Sequence, residues 1–292
     1  MKLNELPEDC VSTILSLSSP LDVCRAAAAS SELRLSAQSD CVWESFLPVD
    51  YHEIVSRADN ESLLKFCTKK ELLFLLCNSL LIDGGNKVVK LNKISGLKSY
   101  ILSARNLSMH GLMTQFIGPG KTSLIQENVK FIESVELRTT SWLEIHGYIK
   151  MKMLSPNTTY GAYLIFKVSE RAYGLDIMPM EVSVQVGNDL VCHNTVYLRR
   201  DGEKNHQIQW LLYYNRTETL TTLVNQGIEG SILTFPGARD DGWMEIELGQ
   251  FFHGELYSDD DHKVVKMSLM EIKGHHLKGG LVVEGIEIRP LH

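Results

Sequence analysis

The spacing of apolar side chains changes near residue 98, and this change constrains the fold more than any other feature of the sequence. Before it, apolar residues recur at the three- and four-residue intervals of a helix, as Val11, Ile14 and Leu15 do. After it, apolar and polar residues alternate, as in "WLEIHGYI" at 142–149, which is typical of a half-buried strand. The sequence therefore predicts an α+β chain with helices first and antiparallel strands afterwards.

The first fifty residues contain specific signals for the start of helices. Pro7 suits a first helical turn, and Ser19 followed by Pro20 has the N-cap and first-position residues of a second helix. A third short helix is expected after Ser39, and Pro48 is expected to end it. We therefore predict three helices in residues 1–50.

Residues 51–98 are predicted to form a helical connector packed between the domains. Thr68 and Glu71 have capping-box spacing just before the apolar run "LLFLLCNSLLI" at 72–82. A helix made of that run is apolar on all sides, so we expect it to be buried between two layers and to end at "DGGN". The segment lacks the Gly, Ser or Pro richness of a flexible tether.

Residues 99–292 are predicted to form an antiparallel β-sandwich, jelly-roll-like, because many short alternating segments are separated by Gly, Asn, Asp and Pro. The other segments read as strands are "YGAYLIFKV", "EVSVQV", "TVYL", "IQWLLYY", "WMEIEL", "VVKMSLMEI" and "LVVEGIEI". The whole chain is thus predicted to be an α+β multidomain protein.

Charge and cysteine content restrict the partners and the compartment. The net charge is -7, and Lys and Arg are not clustered, so neither nucleic acid nor a membrane is expected as a partner. The six cysteines include no C-x-x-C pair, which indicates free thiols in a reducing compartment. No signal peptide is expected, and the longest apolar run, at 72–82, is shorter than the roughly 20 residues that span a bilayer. We expect a protein of the nucleus and cytoplasm.

Residues 6–48, "LPEDCVSTILSLSSPLDVCRAAAASSELRLSAQSDCVWESFLP", resemble an F-box over the whole motif. So few residues bury too little surface to be stable alone, and from composition alone the connector or the sandwich could equally cover them. The resemblance instead implies docking into the adaptor Skp1, which joins the chain to a cullin-RING ubiquitin ligase. The residues implied at that interface are Leu6, Pro7, Ile14, Leu15, Leu17, Pro20 and Leu21.

The segments from "SYILSARNLS" at 99–108 to "LKGGLVVEGIEIRP" at 277–290 resemble, in order, the phloem protein 2 (Nictaba-like) lectins of plants. With the F-box, the chain looks like an F-box protein of the phloem protein 2-B type. In sugar-binding relatives, tryptophans follow "SARxLS" and carboxylates lie on a late strand. Here Gly111 stands at the first tryptophan position, Glu271 matches one carboxylate, and Val264 stands at the position of the other.

A second candidate binding site follows from "DGWMEIELG" alone. A period of two places Trp243, Glu245 and Glu247 on one face of a strand, with the two carboxylates about 7 Å apart, a separation that glycosidases use. A solvated strand face explains the same pattern, and nothing in the sequence indicates the burial that a catalytic acid needs. Glu271, Trp243 and Glu245 are therefore candidate contacts for a glycan or a target, and no catalytic residue is predicted.

The remaining motifs do not indicate a cofactor or a metal. "GPGKT" at 118–122 lacks the upstream glycine of a phosphate-binding loop, because Gln115 occupies that position. The histidines lack the spacing of a closed zinc site.

We therefore predict a non-catalytic substrate-recognition adaptor of an SCF-type (Skp1-cullin-F-box) ubiquitin ligase, whose sandwich binds a target protein or glycoprotein. The alternative is a lectin for N-acetylglucosamine-type glycans that acts in plant stress or defence without the ligase. A third class, a carbohydrate-active enzyme, would require Glu245 to act in hydrolysis.

Overall fold

The structure is a computed structural model, and it divides into two compact units. The helical unit comprises residues 1–101 and 125–130, and the sheet unit comprises residues 102–124 and 131–292. The residues that the structure describes are 6–110, 114–117, 134–175, 178–198, 235–254, 262–273 and 276–291. Gly111, "GPGKT" and the predicted strand "IQWLLYY" at 208–214 lie outside them.

The described part of the helical unit contains seven helices followed by a β-hairpin. The helices are α1 (Glu8–Ser16), α2 (Pro20–Ala29), α3 (Ser31–Ser36), α4 (Asp40–Glu44), α5 (Tyr51–Ser56), α6 (Glu61–Leu64) and α7 (Lys69–Cys77). The hairpin pairs β1 (Leu80–Ile82) with β2 (Lys87–Leu91) in antiparallel register.

The start of α2 forms as predicted, but the first fifty residues contain four helices instead of three. Ser19 is the N-cap of α2, and its Oγ accepts a hydrogen bond of 3.2 Å from the Asp22 backbone N–H. The additional helix arises because Ser30 is extended, with φ −144° and ψ 137°, which separates α2 from α3. Arg34 of α3 then donates from Nε to the Ala27 carbonyl of α2 at 3.2 Å.

The capping box of α7 is also confirmed. The Thr68 backbone N–H donates to Glu71 Oε2 at 2.9 Å, and the Glu71 N–H donates to Thr68 Oγ1 at 3.3 Å. The predicted burial on all sides was wrong, because Phe74 and Leu75 are 43% and 40% exposed. Nor is the whole run helical: α7 ends at Cys77, and its last residues form β1.

The turn at "DGGN" ends a strand, and its backbone explains why the connector is only partly helical. Asp83 has a φ of +59°, and Gly84 and Gly85 also have positive φ, so the chain reverses tightly and starts β2. Arg57 of the helical unit holds this turn by donating from Nε and Nη2 to the Asp83 carboxylate at 2.9 and 2.8 Å. Lys87 Nζ donates to the same carboxylate at 2.7 Å.

The sheet unit is built from antiparallel strands, which confirms the predicted α+β class. β3 (Lys98–Ser103) contains the boundary between the units, and the later strands are β4 (Ser108–His110), β5 (Thr114–Ile117), β6 (Ser134–Leu137), β7 (Leu143–Lys150), β8 (Thr158–Tyr173), β9 (Met180–Val186), β10 (Asp189–Val196), β11 (Gly237–Ala238), β12 (Met244–His253), β13 (Val264–Glu271) and β14 (Gly279–Pro290). In the first sheet β14, β8, β12 and β11 are neighbours in that order, with β6 beside β14 and β5 beside β6. In the second sheet the order is β10-β9-β13-β7-β4.

The predicted alternation on β7 determines which side chains enter the interior. Leu143, Ile145 and Ile149 are buried, whereas Tyr148 is exposed. A Cβ on Gly147 would lie 2.8 Å from the Ile286 side chain of β14, so a strand of the second sheet closely faces a strand of the first sheet here. Only glycine allows this close approach without displacement of Ile286.

Candidate functional site

The inward residues of the first helices form the core of the helical unit. Val11 and Leu15 of α1 are 6% exposed, and Val23 of α2 is fully buried. Trp43 of α4 is buried as well, and its indole N–H donates to the Ala37 carbonyl at 2.7 Å. Leu15, one of the residues predicted at the Skp1 interface, therefore packs inside the chain, where it contributes to the stability of the helices.

Other large apolar residues in these helices, or directly after them, are left uncovered. Ile14, Leu17 and Leu21 are 45%, 84% and 55% exposed. Leu35 of α3, which the sequence analysis did not single out, is 64% exposed. We refer to Ile14, Leu17, Leu21 and Leu35 as the N-terminal apolar set. Of the remaining predicted interface residues, Pro7 is exposed, while Leu6 and Pro20 are half-buried.

Glu271 is buried in the sheet unit and forms an internal ion pair. Its side chain is 3% exposed and contacts Lys278 Nζ, whose side chain is 1% exposed. Lys278 Nζ also donates to the Ser141 carbonyl at 2.7 Å and to the His276 carbonyl at 3.1 Å. All three ammonium hydrogens thus have acceptors, and the Glu271 carboxylate is used inside the protein.

Trp243 precedes β12 and is 5% exposed. The Lys167 ammonium lies 4.3 Å from the centroid of its ring, so a cation occupies one face of the indole. A sugar needs an open aromatic face for stacking. The face of Trp243 that Lys167 covers is therefore not open to a sugar.

Glu245 is held by two arginines. Arg289 donates to both carboxylate oxygens of Glu245, at 2.9 and 2.6 Å, and Arg239 contacts the same carboxylate. The hydrogen bonds from Arg289 hold the pKa of Glu245 below its ordinary value, against the effect of burial. Arg239 and Arg289 also bind Glu287, at 2.8 and 3.1 Å. A lowered pKa disfavours the protonated form that a general acid needs.

The structure divides the three candidate residues of the sheet unit between its two sheets. Glu271 ends β13 of the second sheet, whereas Trp243 and Glu245 lie at the start of β12 in the first sheet. Their role as contacts for a glycan or a target therefore stays a prediction.

His146 of β7, which the sequence analysis did not single out, is a buried histidine at 7% exposure. Its Nδ1 lies 2.9 Å from Ser268 Oγ, and its Nε2 lies 3.5 Å from Glu144 Oε2. Burial lowers the pKa of His146, and nearby Lys266 lowers it further.

The described residues contain no group of three His, Cys, Asp or Glu side chains that could hold a metal ion. In the same part of the chain, every helix is too short or too polar to span a membrane.

The sequence analysis missed a group of exposed apolar residues at one end of the sheet unit. Trp142, Tyr173, Ile272 and Leu277 are between 45% and 60% exposed, although they flank buried strands. The available signal was their position: each lies at or just beyond the end of an alternating segment, where neither sheet can cover it.

Comparison with known proteins identifies the family. The phloem protein 2 family model matches residues 97–290. Two proteins of Arabidopsis thaliana, F-box protein PP2-B15 and F-box protein PP2-B13, are each 46% identical to this chain over 98% of its length, and the matches cover 96% and 98% of those proteins. A solved xylan-binding domain, CBM22-1 of Paenibacillus barcinonensis Xyn10C, covers 64% of this chain and 87% of its own, but with 9% identity and a TM-score of 0.28 it supports no argument. The predicted resemblance is confirmed: the chain belongs to the phloem protein 2 family, among the F-box proteins of the PP2-B type.

Proposed function

We propose that this protein is the substrate-recognition adaptor of an SCF-type ubiquitin ligase. The N-terminal helices dock onto Skp1, and through it onto the cullin-RING ligase, while the sheet unit holds the target. The observation that carries the proposal is the N-terminal apolar set, because Leu17, directly after α1, and Leu21 of α2 are 84% and 55% exposed. The names of the F-box relatives support the same role.

The energetics of these side chains favour a partner. Fully burying a leucine that is otherwise exposed contributes roughly 1.5–3 kcal/mol. The N-terminal apolar set contains three leucines and one isoleucine within residues 14–35, and a monomer gains nothing from exposing them. A protein interface that buries these side chains gains this free energy. The connector does not bury them.

In this proposal the divisions of the chain have separate roles. Residues 1–50 form the F-box, residues 51–98 form the connector, and residues 99–292 form a jelly-roll-like β-sandwich that selects the target protein or glycoprotein. The protein itself catalyses no step, and ubiquitin transfer occurs elsewhere in the complex. The ion pairs that hold Glu245 support this, because they oppose its use in hydrolysis.

We further propose action in the nucleus and cytoplasm. All six cysteines are free in the structure, including the exposed Cys10 and Cys41. Free exposed thiols are typical of proteins in reducing compartments.

The test is co-purification of the full chain with Skp1. Changing Leu17 and Leu21 together to Glu places two charges in the proposed interface, and we expect at least a tenfold loss of bound Skp1. Changing Val49 to Glu is the matched control, because Val49 belongs to the helical unit and is fully exposed outside the N-terminal apolar set. Skp1 binding that survives the double change, or that is lost equally with Val49→Glu, would contradict the proposal. Glycan binding with no Skp1 binding in the unchanged protein would favour the lectin alternative.

A further inference from the structure

Three loops meet at one end of the sheet unit. The backbones of Thr140 and Lys278 exchange two hydrogen bonds, of 2.9 and 2.8 Å. The Tyr173 hydroxyl, at the end of β8, lies 2.6 Å from Thr139 Oγ1. The described residues 138–142 and 171–175 are thereby joined to one another and to Lys278.

The buried Lys278 fixes these loops from within. Its ammonium group binds Glu271 on one loop and the Ser141 carbonyl on another. Gly174 has a φ of +71°, and a Cβ there would collide with the Leu277 carbonyl oxygen, so the third loop also packs tightly. Loops held by internal contacts of this kind present their outer side chains in a defined arrangement, which lowers the entropic cost of binding.

Large apolar side chains cover the outside of this end. We refer to Trp142, Tyr173, Ile272 and Leu277 as the loop-end surface; they are 47%, 45%, 55% and 60% exposed. Leu143 and Glu271 are paired across β7 and β13, so Trp142 and Ile272 follow directly opposite each other beyond the last ladder pair. Such residues are expensive to expose together unless another molecule covers them.

The exposed charged side chains that the structure describes around the loop-end surface are mainly basic. Among the described residues of these loops, Arg138, Arg171 and Lys273 are exposed, and Glu170, the residue of β8 before Arg171, is an exposed acid beside them. The chain as a whole has a net charge of -7, so the excess of exposed basic side chains among these described residues is opposite in sign to the overall charge. Tryptophan, tyrosine and arginine are also the residues most enriched at protein interfaces.

From this combination we infer that the loop-end surface binds an acidic segment of a protein, with a bulky apolar side chain of that segment against Trp142 and its carboxylates facing Arg171 and Lys273. The inference rests on the proposed function and deepens it, because it names the chemistry of the target that the adaptor holds. The occupant is a protein segment, since the charged rim complements carboxylates and a neutral glycan has none.

The test is selection of a random twelve-residue peptide library on the purified full chain. We expect the enriched peptides to be acidic and to contain Trp, Phe or Leu. Their dissociation constants should rise at least about tenfold with Trp142→Ala, and about three- to tenfold with Lys273→Glu, which replaces an exposed side chain and leaves the core intact. Binding should also weaken in high salt.

Phe252→Ala is the matched control, because Phe252 is 59% exposed on the sheet unit but pairs with Thr159, at the opposite end of β8 from Tyr173. Its substitution should leave peptide binding unchanged. The inference is overturned if no peptide is enriched, if the enriched peptides are not acidic, or if Phe252→Ala weakens binding as much as Trp142→Ala does. It is equally overturned if Trp142→Ala abolishes only binding of an N-acetylglucosamine oligomer, or only self-association of the chain.

Skp1 co-purification of the same variants separates the two proposals. If the chain still binds Skp1 but binds no acidic peptide, the inference about the loop-end surface is refuted and the ligase role stands. Acidic peptide binding without Skp1 removes the ligase role and leaves the binding surface.

Discussion

Replacing Lys278 by Met is expected to destabilise the sheet unit strongly. The change keeps most of the apolar length of the side chain but removes the cation, and it leaves the Glu271 carboxyl group without its ion-pair partner at 3% exposure. Breaking a buried ion pair by removing one partner costs roughly 3–5 kcal/mol, because the remaining charge stays desolvated and uncompensated. The Ser141 and His276 carbonyls lose a donor at the same time.

This cost is large compared with the roughly 5–15 kcal/mol that separates a folded domain from its unfolded chain. We expect Lys278→Met to lower the urea midpoint of the sheet unit in the full chain, followed by circular dichroism. Lys273→Met is the control, because Lys273 is an exposed lysine five residues away, and its loss should change the free energy of unfolding by less than about 0.5 kcal/mol.

A double-mutant cycle decides whether the loss of the Lys278–Glu271 ion pair causes the destabilisation. Glu271→Gln removes the charge that Lys278→Met leaves stranded, so the double variant should be more stable than the sum of the two single costs predicts, by roughly 1–3 kcal/mol. Additive costs, or a cost of Lys278→Met below about 1 kcal/mol, would refute the reasoning. Such a result would also reopen Glu271 as a ligand contact, because its carboxylate would then be dispensable for folding.

Two further predictions concern the helical unit. Arg57 and Lys87 hold the pKa of Asp83 at about 2, below its ordinary 3.8, so ionised Asp83 stabilises the fold at pH values above about 4, and this contribution is lost as the pH falls toward 2. Asp83→Asn, which tolerates the positive φ, should cost about 2 kcal/mol at pH 7 and almost nothing near pH 2, measured as urea midpoints across that range. Thr68→Ala should cost about 1 kcal/mol by removing the N-cap of α7, and Thr68→Ser should restore it.

A cost of Asp83→Asn that is the same at every pH would show that the carboxylate charge is not what Arg57 stabilises. Equal stability of the Ala and Ser variants at Thr68 would show that the cap contributes nothing.

The features that were predictable from the sequence are those set by neighbouring residues. Ser19 and Thr68 are caps because a hydroxyl next to a helix start accepts its free N–H groups, and β7 alternates because adjacent side chains of a strand point to opposite faces. The extra helix α3 was missed because Ser30 can be helical or extended, and the contact from Arg34 to Ala27 that accompanies the break cannot be read from local pattern.

The burial of individual residues in the candidate sites depended on tertiary structure. Ile14 and Leu15 are adjacent and equally apolar, yet only Leu15 enters the core. Phe74 is 43% exposed because only one face of α7 is buried, and that face carries other apolar residues of the helix such as Leu73 and Leu76. Glu271 matched a ligand position by pattern, but its direction into the interior and its pairing with Lys278 follow from how β13 ends against the loop before β14.

The most direct test of the central claim is hydrogen exchange of the full chain with and without Skp1. The account predicts slower exchange in α1 to α3, where the N-terminal apolar set lies, and unchanged exchange in the strands of the sheet unit. Unchanged exchange in α1 to α3 at saturating Skp1, or protection confined to the sheet unit, would contradict it.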